Sequence, residues 1–221
     1  MGSMTAPAPL LETDRTKLRR AAGRGSFDRD LANSILDEAY IAHVGFVVDG
    51  TPRVLPMAYG RIGEDLYLHG AVGNAMLKAS ISAQVCVTVT LLDALVLARS
   101  AFHHSMNYRC VVLYGEALRV DDADEKRAAL DAVVDQVVPG RSSEARPSND
   151  QELRATLVLR LPIVEGSVKV RGHGVVDDPD DMELPVWAGL VPTVLTTSPP
   201  VQDEAQAGSG LTPPSPDRLV R

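Results

Sequence analysis

The sequence predicts a mainly β fold, a closed barrel with flanking helices. Short segments rich in Val and Leu follow one another between residues 41 and 171, as is typical of buried strands. Tight-turn signals such as Asp49-Gly50 separate several of these segments. Only a few segments have the apolar spacing of an amphipathic helix. A parallel α/β protein would instead place a helix after each strand, so these observations favour a barrel with few helices.

The first helix is expected over residues 26–39. Its apolar residues recur at helical spacing, and Ser26 or Asp28 can cap its start. Two shorter helices are expected over 74–82 and from 149 to 155. The residues expected to point into the core from the first helix are Leu31, Ile35, Leu36 and Ala39.

A longer amphipathic helix is expected over residues 121–138. Asp121 or Asp122 can cap it, and Pro139 ends it. Its inward residues are expected to be Leu130, Val133, Val134 and Val137.

The strands are expected to alternate with turns. Asp49-Gly50 predicts a hairpin, and Gly63-Glu64-Asp65 predicts a second turn. The expected strands cover residues 41–48, 53–59, 65–69, 85–91, 94–100, 109–119, 157–162 and 167–171.

One folded domain is expected over residues 11–196. The flanking segments 1–10 and 197–221 are rich in Pro, Gly, Ser and Ala and are expected to be disordered tails. Met1-Gly2-Ser3 resembles an expression tag and is left out of the fold prediction.

Charge and cysteine content restrict the function class. The net charge is -7 and the sequence pI about 5.2, which argues against nucleic-acid or anionic-membrane partners, because both need a basic face. The two cysteines, Cys86 and Cys110, are far apart and predict no disulfide framework, as in a cytoplasmic protein. No apolar run approaches the roughly 20 residues of a membrane span.

Two polar segments interrupt the strands. In the first, a strand ends at His69-Gly70, a loop follows, and Asn74 caps a helix that carries Lys78. Such a corner can bind a phosphate through free backbone N–H groups, although an ordinary strand–loop–helix connection has the same pattern. In the second, residues 101–112 contain two histidines, Asn, Tyr and Arg between apolar strands, as at the mouth of a barrel.

Several catalytic motifs are missing or weak. There is no Gly-x-Ser-x-Gly elbow of a hydrolase. His103 and His104 are adjacent, so they point to opposite faces of an extended chain and make a poor metal pair. The acidic run 177–183 lacks the spacing of a calcium loop. Trp187, the one tryptophan, matters for function only if it covers a planar ring.

Four ordered stretches carry a family resemblance: HVGFVVDGTPRVLPMAYG, DLYLHGAVGNAMLKA, VCVTVTLLDALVLARSAFHHSMNYRCVVLYGEA and LPVWAGLVP. Together they resemble the pyridoxamine-5′-phosphate-oxidase-like FMN-binding split β-barrels, in particular the actinobacterial branch related to nitroimidazole-resistance (Nim-type) proteins. The resemblance runs from about Lys17 to Val194. It implies a six-stranded antiparallel split barrel and a homodimer with two cofactor sites at its interface.

The resemblance also implies a set of FMN-binding residues. In the family the corner binds the phosphate, the preceding strand lines the flavin ring with backbone groups, and a later strand segment adds further contacts. The matching positions here are His69, Gly70, Ala71, Asn74 and Lys78 for the phosphate, Pro56, Met57, Ala58 and Tyr59 for the ring, and Asn107, Tyr108, Arg109 and Cys110 for the later segment. Trp187 of the partner chain would close over the ring.

Two positions depart from the family pattern. Ala75 stands where relatives usually have a basic residue, and Cys110 stands where they usually have serine. A lost arginine removes a bidentate phosphate partner, and a thiol is a weaker hydrogen-bond donor than a hydroxyl. Both changes lie where FMN contacts are expected, so they predict weaker FMN binding.

The resemblance leaves three functions open. The first is an FMN-dependent oxidoreductase acting on a small planar substrate such as a nitro-aromatic, with His104, Tyr108 or Arg109 polarising the substrate. The second is a haem-binding protein, enzymatic or not, whose axial ligand would be His69, His103, His104 or His173. The third is a non-catalytic protein that sequesters a cofactor, a deazaflavin or a reactive small molecule.

Overall fold

The computed structural model describes residues 8–19, 22–215 and 218. The expected tag and the outermost parts of both predicted tails lie outside the described residues. The strands are β1 Gly25–Ser26, β2 Ala42–Val48, β3 Thr51–Met57, β4 Tyr59–Ile62, β5 Asp65–Ala71, β6 Ala83–Leu97, β7 Ser105–Arg119, β8 Thr156–Pro162, β9 Glu165–Arg171 and β10 Gly189–Pro192. The α-helices are α1 Arg29–Glu38, α2 Ala75–Ser80, α3 Ala123–Val137 and α4 Asp150–Ala155.

All named strand pairs are antiparallel, in the order β3-β2-β6-β7-β8-β5-β4. β9 pairs with β7, β1 with β9, and β10 with β6. The prediction of a mainly antiparallel β fold with flanking helices is confirmed. The described residues form ten strands rather than six, in part because the short β1, β4 and β10 extend the sheet at its edges.

The two predicted turns are present. Asp49 and Gly50 both have positive φ, 50° and 73°, as a type I′ turn requires, and they join β2 to β3. Gly63, with φ 56°, lies in the turn between β4 and β5. At these positions the local sequence therefore fixes the register of two hairpins.

The core lies between the inner face of the sheet and α1. Asp28 caps α1 by accepting a hydrogen bond from Leu31 N at 2.7 Å, as predicted. Leu10, assigned to a tail by the sequence, is also buried in this core, and its backbone N–H donates to Phe27 O at 2.8 Å. Large side chains that are fully buried include Ile35, Leu36, Val44, Tyr59, Leu66, Leu68, Val87, Leu113, Leu159, Leu161 and Ile163.

The inward face of α3 differs from the prediction. Val134 and Val137 are exposed by 37% and 53%, whereas Ala129, Val133 and Gln136 are buried. α3 packs closely on β4: a Cβ added to Gly60 would lie 2.7 Å from Val133 N. This close approach requires a small residue at position 60, which the apolar pattern of the helix does not reveal.

The predicted strands 85–91 and 94–100 are one strand, β6. Its pairing with β7 shifts between Leu92 and Ala94, which leaves Asp93 as a bulge. β7 also begins at Ser105, so residues 105–112 of the polar segment 101–112 are strand rather than connection. Within the described part of the chain, no helix is long and apolar enough to cross a membrane.

Candidate functional site

The larger of two pockets, called the larger pocket, lies between the C-terminal end of α1, the β2–β3 hairpin and the bulge of β6. It is open to solvent and has a volume of about 560 Å³. This volume lies in the range typical of small-molecule sites, roughly 300–1,000 Å³. The lining residues are Glu38, Ala39, Tyr40, Ile41, His43, Pro56, Thr90, Leu91, Leu92, Asp93, Arg109, Thr193, Val194 and Leu195.

A charged triad forms one wall of this larger pocket. Arg109 donates to Glu38 through Nη1 at 2.5 Å and Nη2 at 2.8 Å, and to Asp93 through Nη2 at 2.8 Å. These hydrogen bonds raise the pKa of Arg109 above its usual range, and the bond to Glu38 has the largest effect. The sequence proposed Arg109 as a group that polarises substrate, but here its donors are occupied by two carboxylates. It instead holds α1 against the β6 bulge.

Glu38 and Asp93 were not predicted as site residues. The sequence did contain a sign that Asp93 is unusual, because it is the one acid in the apolar run 91–97 and lies between two predicted strands. Nothing in the sequence marks Glu38 as a site residue, since it ends an ordinary amphipathic helix. With two carboxylates and one guanidinium, this wall carries excess negative charge. It suits a neutral ring better than a phosphate.

The predicted phosphate corner has the expected backbone geometry. Asn74 Oδ1 accepts from Leu77 N at 3.1 Å and caps α2. A Cβ on Gly70 would lie 2.9 Å from Leu77 Cδ1, so a larger residue there would have to displace the Leu77 side chain. Ala71 and Lys78 are exposed. The capping oxygen of Asn74 is therefore used by the helix, and phosphate binding at the corner stays a prediction.

His69 points away from this corner into a second, smaller cavity. The cavity has a volume of about 230 Å³ and lies between β5, α3 and the segment before α4. His69 Nδ1 is buried and has no hydrogen-bond partner in the described part of the chain. Burial lowers the pKa of His69, which favours the neutral imidazole. The other lining residues are Leu130, Asp131, Val133, Val134, Ser142, Ala145, Arg146, Ser148 and Thr156.

The polar side chains of the segment 101–110 lie in different surroundings. His104 is exposed, with Nδ1 2.9 Å from Ser100 O. His103 Nε2 lies 3.2 Å from Asp178 Oδ2, in a different contact. Neither His103 nor His104 lines the two cavities described above.

Tyr108 and Cys110 are half-buried in the middle strand β7. Burial raises the pKa of the Cys110 thiol, so this cysteine is not an activated nucleophile. Asn107 is buried, and its Oδ1 accepts from Arg171 at 2.5 Å. This segment therefore faces the end of β9 as well as the larger pocket.

The predicted ring-binding residues lie in different places. Pro56 lines the larger pocket, and Met57 and Ala58 continue from it towards β4. Tyr59 is fully buried, and its hydroxyl donates to Leu36 O at 2.5 Å, so its side chain serves the core. Trp187 is 65% exposed, and its ring approaches Gly189, where an added Cβ would lie 2.9 Å from it. Trp187 lines neither of the two cavities described above.

The described residues include no group of three or more His, Cys, Asp or Glu side chains that could hold a metal ion. Of the predicted site residues, Pro56 and Arg109 line the larger pocket and His69 lines the smaller cavity.

A comparison with family models decides the family. The model of pyridoxamine 5′-phosphate oxidase matches residues 28–170, more than half of the chain. This chain belongs to the pyridoxamine 5′-phosphate oxidase family. The match covers the strands from β2 through nearly all of β9 and most of the residues that line the two cavities. No curated protein matched the chain.

Solved structures of similar proteins extend this family assignment. The flavocytochrome Anf3 of Azotobacter vinelandii is 36% identical, with a TM-score of 0.86, over 93% of this chain and 96% of that one. The FAD and haem binding protein of Mycobacterium smegmatis is 36% identical, with a TM-score of 0.84, over 89% of this chain and 97% of that one. A candidate 5-nitroimidazole antibiotic resistance protein of Bacteroides thetaiotaomicron is 27% identical, with a TM-score of 0.55, over 65% and 84%.

Proposed function

We propose that this protein is a flavin-binding redox protein. The observation that carries the proposal is the likeness, at 36% identity over 89% to 97% of the chains, to a flavocytochrome and to an FAD and haem binding protein. The sequence predicted FMN. The relative named for FAD favours FAD, and the isoalloxazine ring is common to both.

The larger pocket fits a flavin ring in size and in chemistry. Leu91, Leu92 and Pro56 supply apolar surface to its lining. Thr90 and His43 add polar groups, and Arg109 is held by carboxylates that fix its position. An apolar slot with a few fixed polar groups is the usual form of a cofactor site.

A bound flavin supplies hydride and electron transfer, so the protein itself needs no acid or base for that chemistry. The residues of this chain would orient the ring and admit the substrate through the open side of the pocket. A small planar substrate, such as a nitro-aromatic, suits this role. The 27% identity to a candidate 5-nitroimidazole resistance protein supports such a substrate.

The freshly purified protein tests the proposal. We expect flavin absorption bands, bleaching by NAD(P)H or dithionite, and release of FAD rather than FMN on denaturation, separated by chromatography. A protein that is colourless and that quenches the fluorescence of neither added FMN nor added FAD would contradict the proposal.

Haem is a second candidate ligand, and His69 is the observation that favours it. His69 lines the smaller cavity, and burial favours its neutral imidazole, the form that can bind haem iron. Val133 and Val134 offer apolar contact in this cavity, and Arg146 offers a cation for a carboxylate. The same two relatives support haem, since one is a flavocytochrome and the other binds haem.

Adding haem to the apoprotein tests this assignment. We expect a Soret band in the wild type that His69→Ala abolishes or shifts. His104→Ala is the matched control, because His104 is exposed and bonded to the Ser100 carbonyl. A Soret band that is unchanged in His69→Ala and altered in His104→Ala would overturn the assignment of the ligand.

We further propose that a second copy of the chain completes the flavin site. Residues 51–56 of β3 are exposed on both faces, and Val54 and Leu55 are exposed beside the larger pocket. Such an uncovered apolar edge strand is rare in a monomer. Light scattering should give a dimer mass that Val54→Glu with Leu55→Glu reduces to a monomer. Val201→Glu, which changes an exposed valine outside the sheet, should leave the mass of a dimer.

A further inference from the structure

Four apolar residues that line the larger pocket are exposed to solvent. Ile41, Leu92, Val194 and Leu195 have exposed fractions of 53%, 45%, 79% and 74%. Because the pocket is open, side chains that both line it and meet solvent lie at its opening. Single exposed apolar side chains are common on protein surfaces, but a group of them beside a cavity is typical of a binding site. These four residues are called the apolar rim below.

Thr193 holds Val194 and Leu195 of the apolar rim in place. Its backbone N–H donates to Asp93 O at 3.0 Å, and its hydroxyl donates to Leu92 O at 2.6 Å. Both acceptors lie at the bulge of β6, which also supplies Asp93 to the charged triad. Thr193 therefore fixes this part of the rim to the point of the sheet that positions Asp93.

Val194 and Leu195 lie outside the part of the chain that defines the family. The family model matches residues 28–170, about two thirds of the chain. The likeness to the flavocytochrome covers 93% of the chain, so it includes most of the residues outside that match. The larger pocket thus combines walls from the shared part of the fold with a rim segment that the family model leaves out. Ligand specificity commonly resides in such added segments, because they vary while the fold is kept.

The charged residues of the larger pocket restrict the ligand further. Besides His43, the acidic and basic lining residues are Glu38, Asp93 and Arg109, so two carboxylates face one guanidinium. The excess negative charge repels an anion, and this repulsion grows as a ligand displaces water from the pocket. The apolar rim is stabilised when an apolar surface covers it. A flat, uncharged aromatic molecule satisfies both conditions.

We propose that the apolar rim is the substrate subsite of the larger pocket and that it takes uncharged aromatic molecules in preference to carboxylates. Val194 and Leu195 contact the substrate, and Asp93 supplies the negative charge that disfavours an anion. Thr193 is a positioning residue that acts through the two residues after it. This inference rests on the proposed flavin function, since the substrate would meet the bound flavin in the same pocket.

The dissociation constants of 2-naphthol and 2-naphthoate test the proposal, because one is uncharged and the other is a carboxylate of similar size. Naphthalene fluorescence reports binding to the apoprotein, and the flavin absorption spectrum reports binding to the flavin-loaded protein. The wild type should bind 2-naphthol about 10-fold more tightly than 2-naphthoate, the effect of one like-charge repulsion. Asp93→Asn should bring the two constants close together. A wild type that binds 2-naphthoate as tightly as 2-naphthol would overturn the proposed preference.

Two sets of variants test the rim itself. Val194→Ser with Leu195→Ser should weaken 2-naphthol binding about 10-fold, because it removes apolar contact, and should leave flavin affinity unchanged. Both side chains are exposed, so this variant should fold. Val201→Ser with Leu211→Ser is the matched control, since it removes the same side chains from exposed positions that line neither cavity. Its affinity for 2-naphthol should equal that of the wild type.

Thr193 is tested by its hydroxyl. Thr193→Val keeps the shape but removes the donor to Leu92 O, and it should weaken 2-naphthol binding about 3-fold. Thr193→Ser keeps the hydroxyl and should bind 2-naphthol as the wild type does. Equal affinities in Thr193→Val and the wild type would show that Thr193 does not position the rim.

The outcomes separate this inference from the proposed function. If FAD or FMN binds but the Val194 and Leu195 variant keeps the 2-naphthol affinity of the wild type, the subsite is overturned and the flavin function stands. If no flavin binds but the apoprotein variant loses 2-naphthol affinity, the rim binds uncharged aromatic molecules and the flavin function alone fails. A variant that is a monomer in light scattering, beside a dimeric wild type, would make the rim a subunit contact and overturn the inference.

Discussion

Arg109 of β7 donates two parallel hydrogen bonds to Glu38 at the end of α1, Nη1 to Oε2 at 2.5 Å and Nη2 to Oε1 at 2.8 Å. Arg109 also bonds Asp93 in the β6 bulge. Arg109→Gln should lower the unfolding free energy by about 2 kcal/mol, because it leaves two acids together without a cation. Arg109→Lys keeps the charge but not the two-point geometry and should cost about 1 kcal/mol.

Urea unfolding measures both effects, and Arg154→Lys on the exposed face of α4 is the matched control. Equal stability of Arg109→Gln and the wild type would show that the triad does not hold α1 in place.

Gln136 satisfies the carbonyls at the end of α1. Its Nε2 lies 2.6 Å from Ala39 O and 2.9 Å from Leu36 O, in buried surroundings. Gln136→Leu fills the space but leaves Leu36 O and Ala39 O to share the single hydroxyl proton of Tyr59, so it should cost about 1–3 kcal/mol of unfolding free energy. Val137→Ala, at the exposed neighbouring position, should change stability by less than about 0.5 kcal/mol. A neutral Gln136→Leu in urea or thermal unfolding would rule out this role.

Gly60 allows α3 to approach β4. A Cβ there would lie 2.7 Å from Val133 N and 2.8 Å from Ala132 C, which are backbone atoms that cannot rotate away. Gly60→Ala should therefore destabilise the protein by about 1–3 kcal/mol or more. Gly73→Ala is the control, because a Cβ at Gly73 meets nothing within 4 Å. Thermal melting of both variants, compared with the wild type, should show a loss only for Gly60→Ala.

Tyr67 makes the free energy of unfolding depend on pH in the alkaline range. Burial, followed by a hydrogen bond from its hydroxyl to Glu125 Oε1 at 3.1 Å, raises its pKa from the ordinary value near 10 to about 12. The unfolded chain loses this proton at lower pH than the folded protein. The contribution of Tyr67 is therefore complete below pH 10 and is lost as the pH rises towards 12.

Unfolding free energies across this alkaline range, in the wild type and in Tyr67→Phe, measure the contribution. The decline should be smaller in Tyr67→Phe. A tyrosinate absorbance titration in which Tyr67→Phe removes a tyrosine that ionises near pH 10 would contradict the raised pKa.

Local signals in the sequence predicted most elements of the fold. Asp28, Asn74, Asp122 and Asn149 cap the four helices as side-chain acceptors. Each of these bonds spans two or three residues, so the sequence around the position is enough to predict it. The family resemblance was also confirmed. It depends on several motifs in a fixed order, and such a set is more specific than any single motif.

The candidate site was predicted less well, because its contacts join distant parts of the chain. Arg109 was recognised, but its partner Glu38 is 71 positions away and carries no local sign of the contact. Trp187 of the partner chain was expected to close over the flavin ring, and this placement stays a prediction.

The sequence by itself determined the β class, the helix caps, the Asp49-Gly50 hairpin and the family, since backbone preferences and ordered motifs act over short distances. Only the tertiary structure decided which residues meet. It placed Arg109 in a triad with Glu38 and Asp93, and it buried Arg171 with no carboxylate partner among the described residues. The physical reason is that strand register and helix packing, set by the whole core, choose the partner of each long charged side chain.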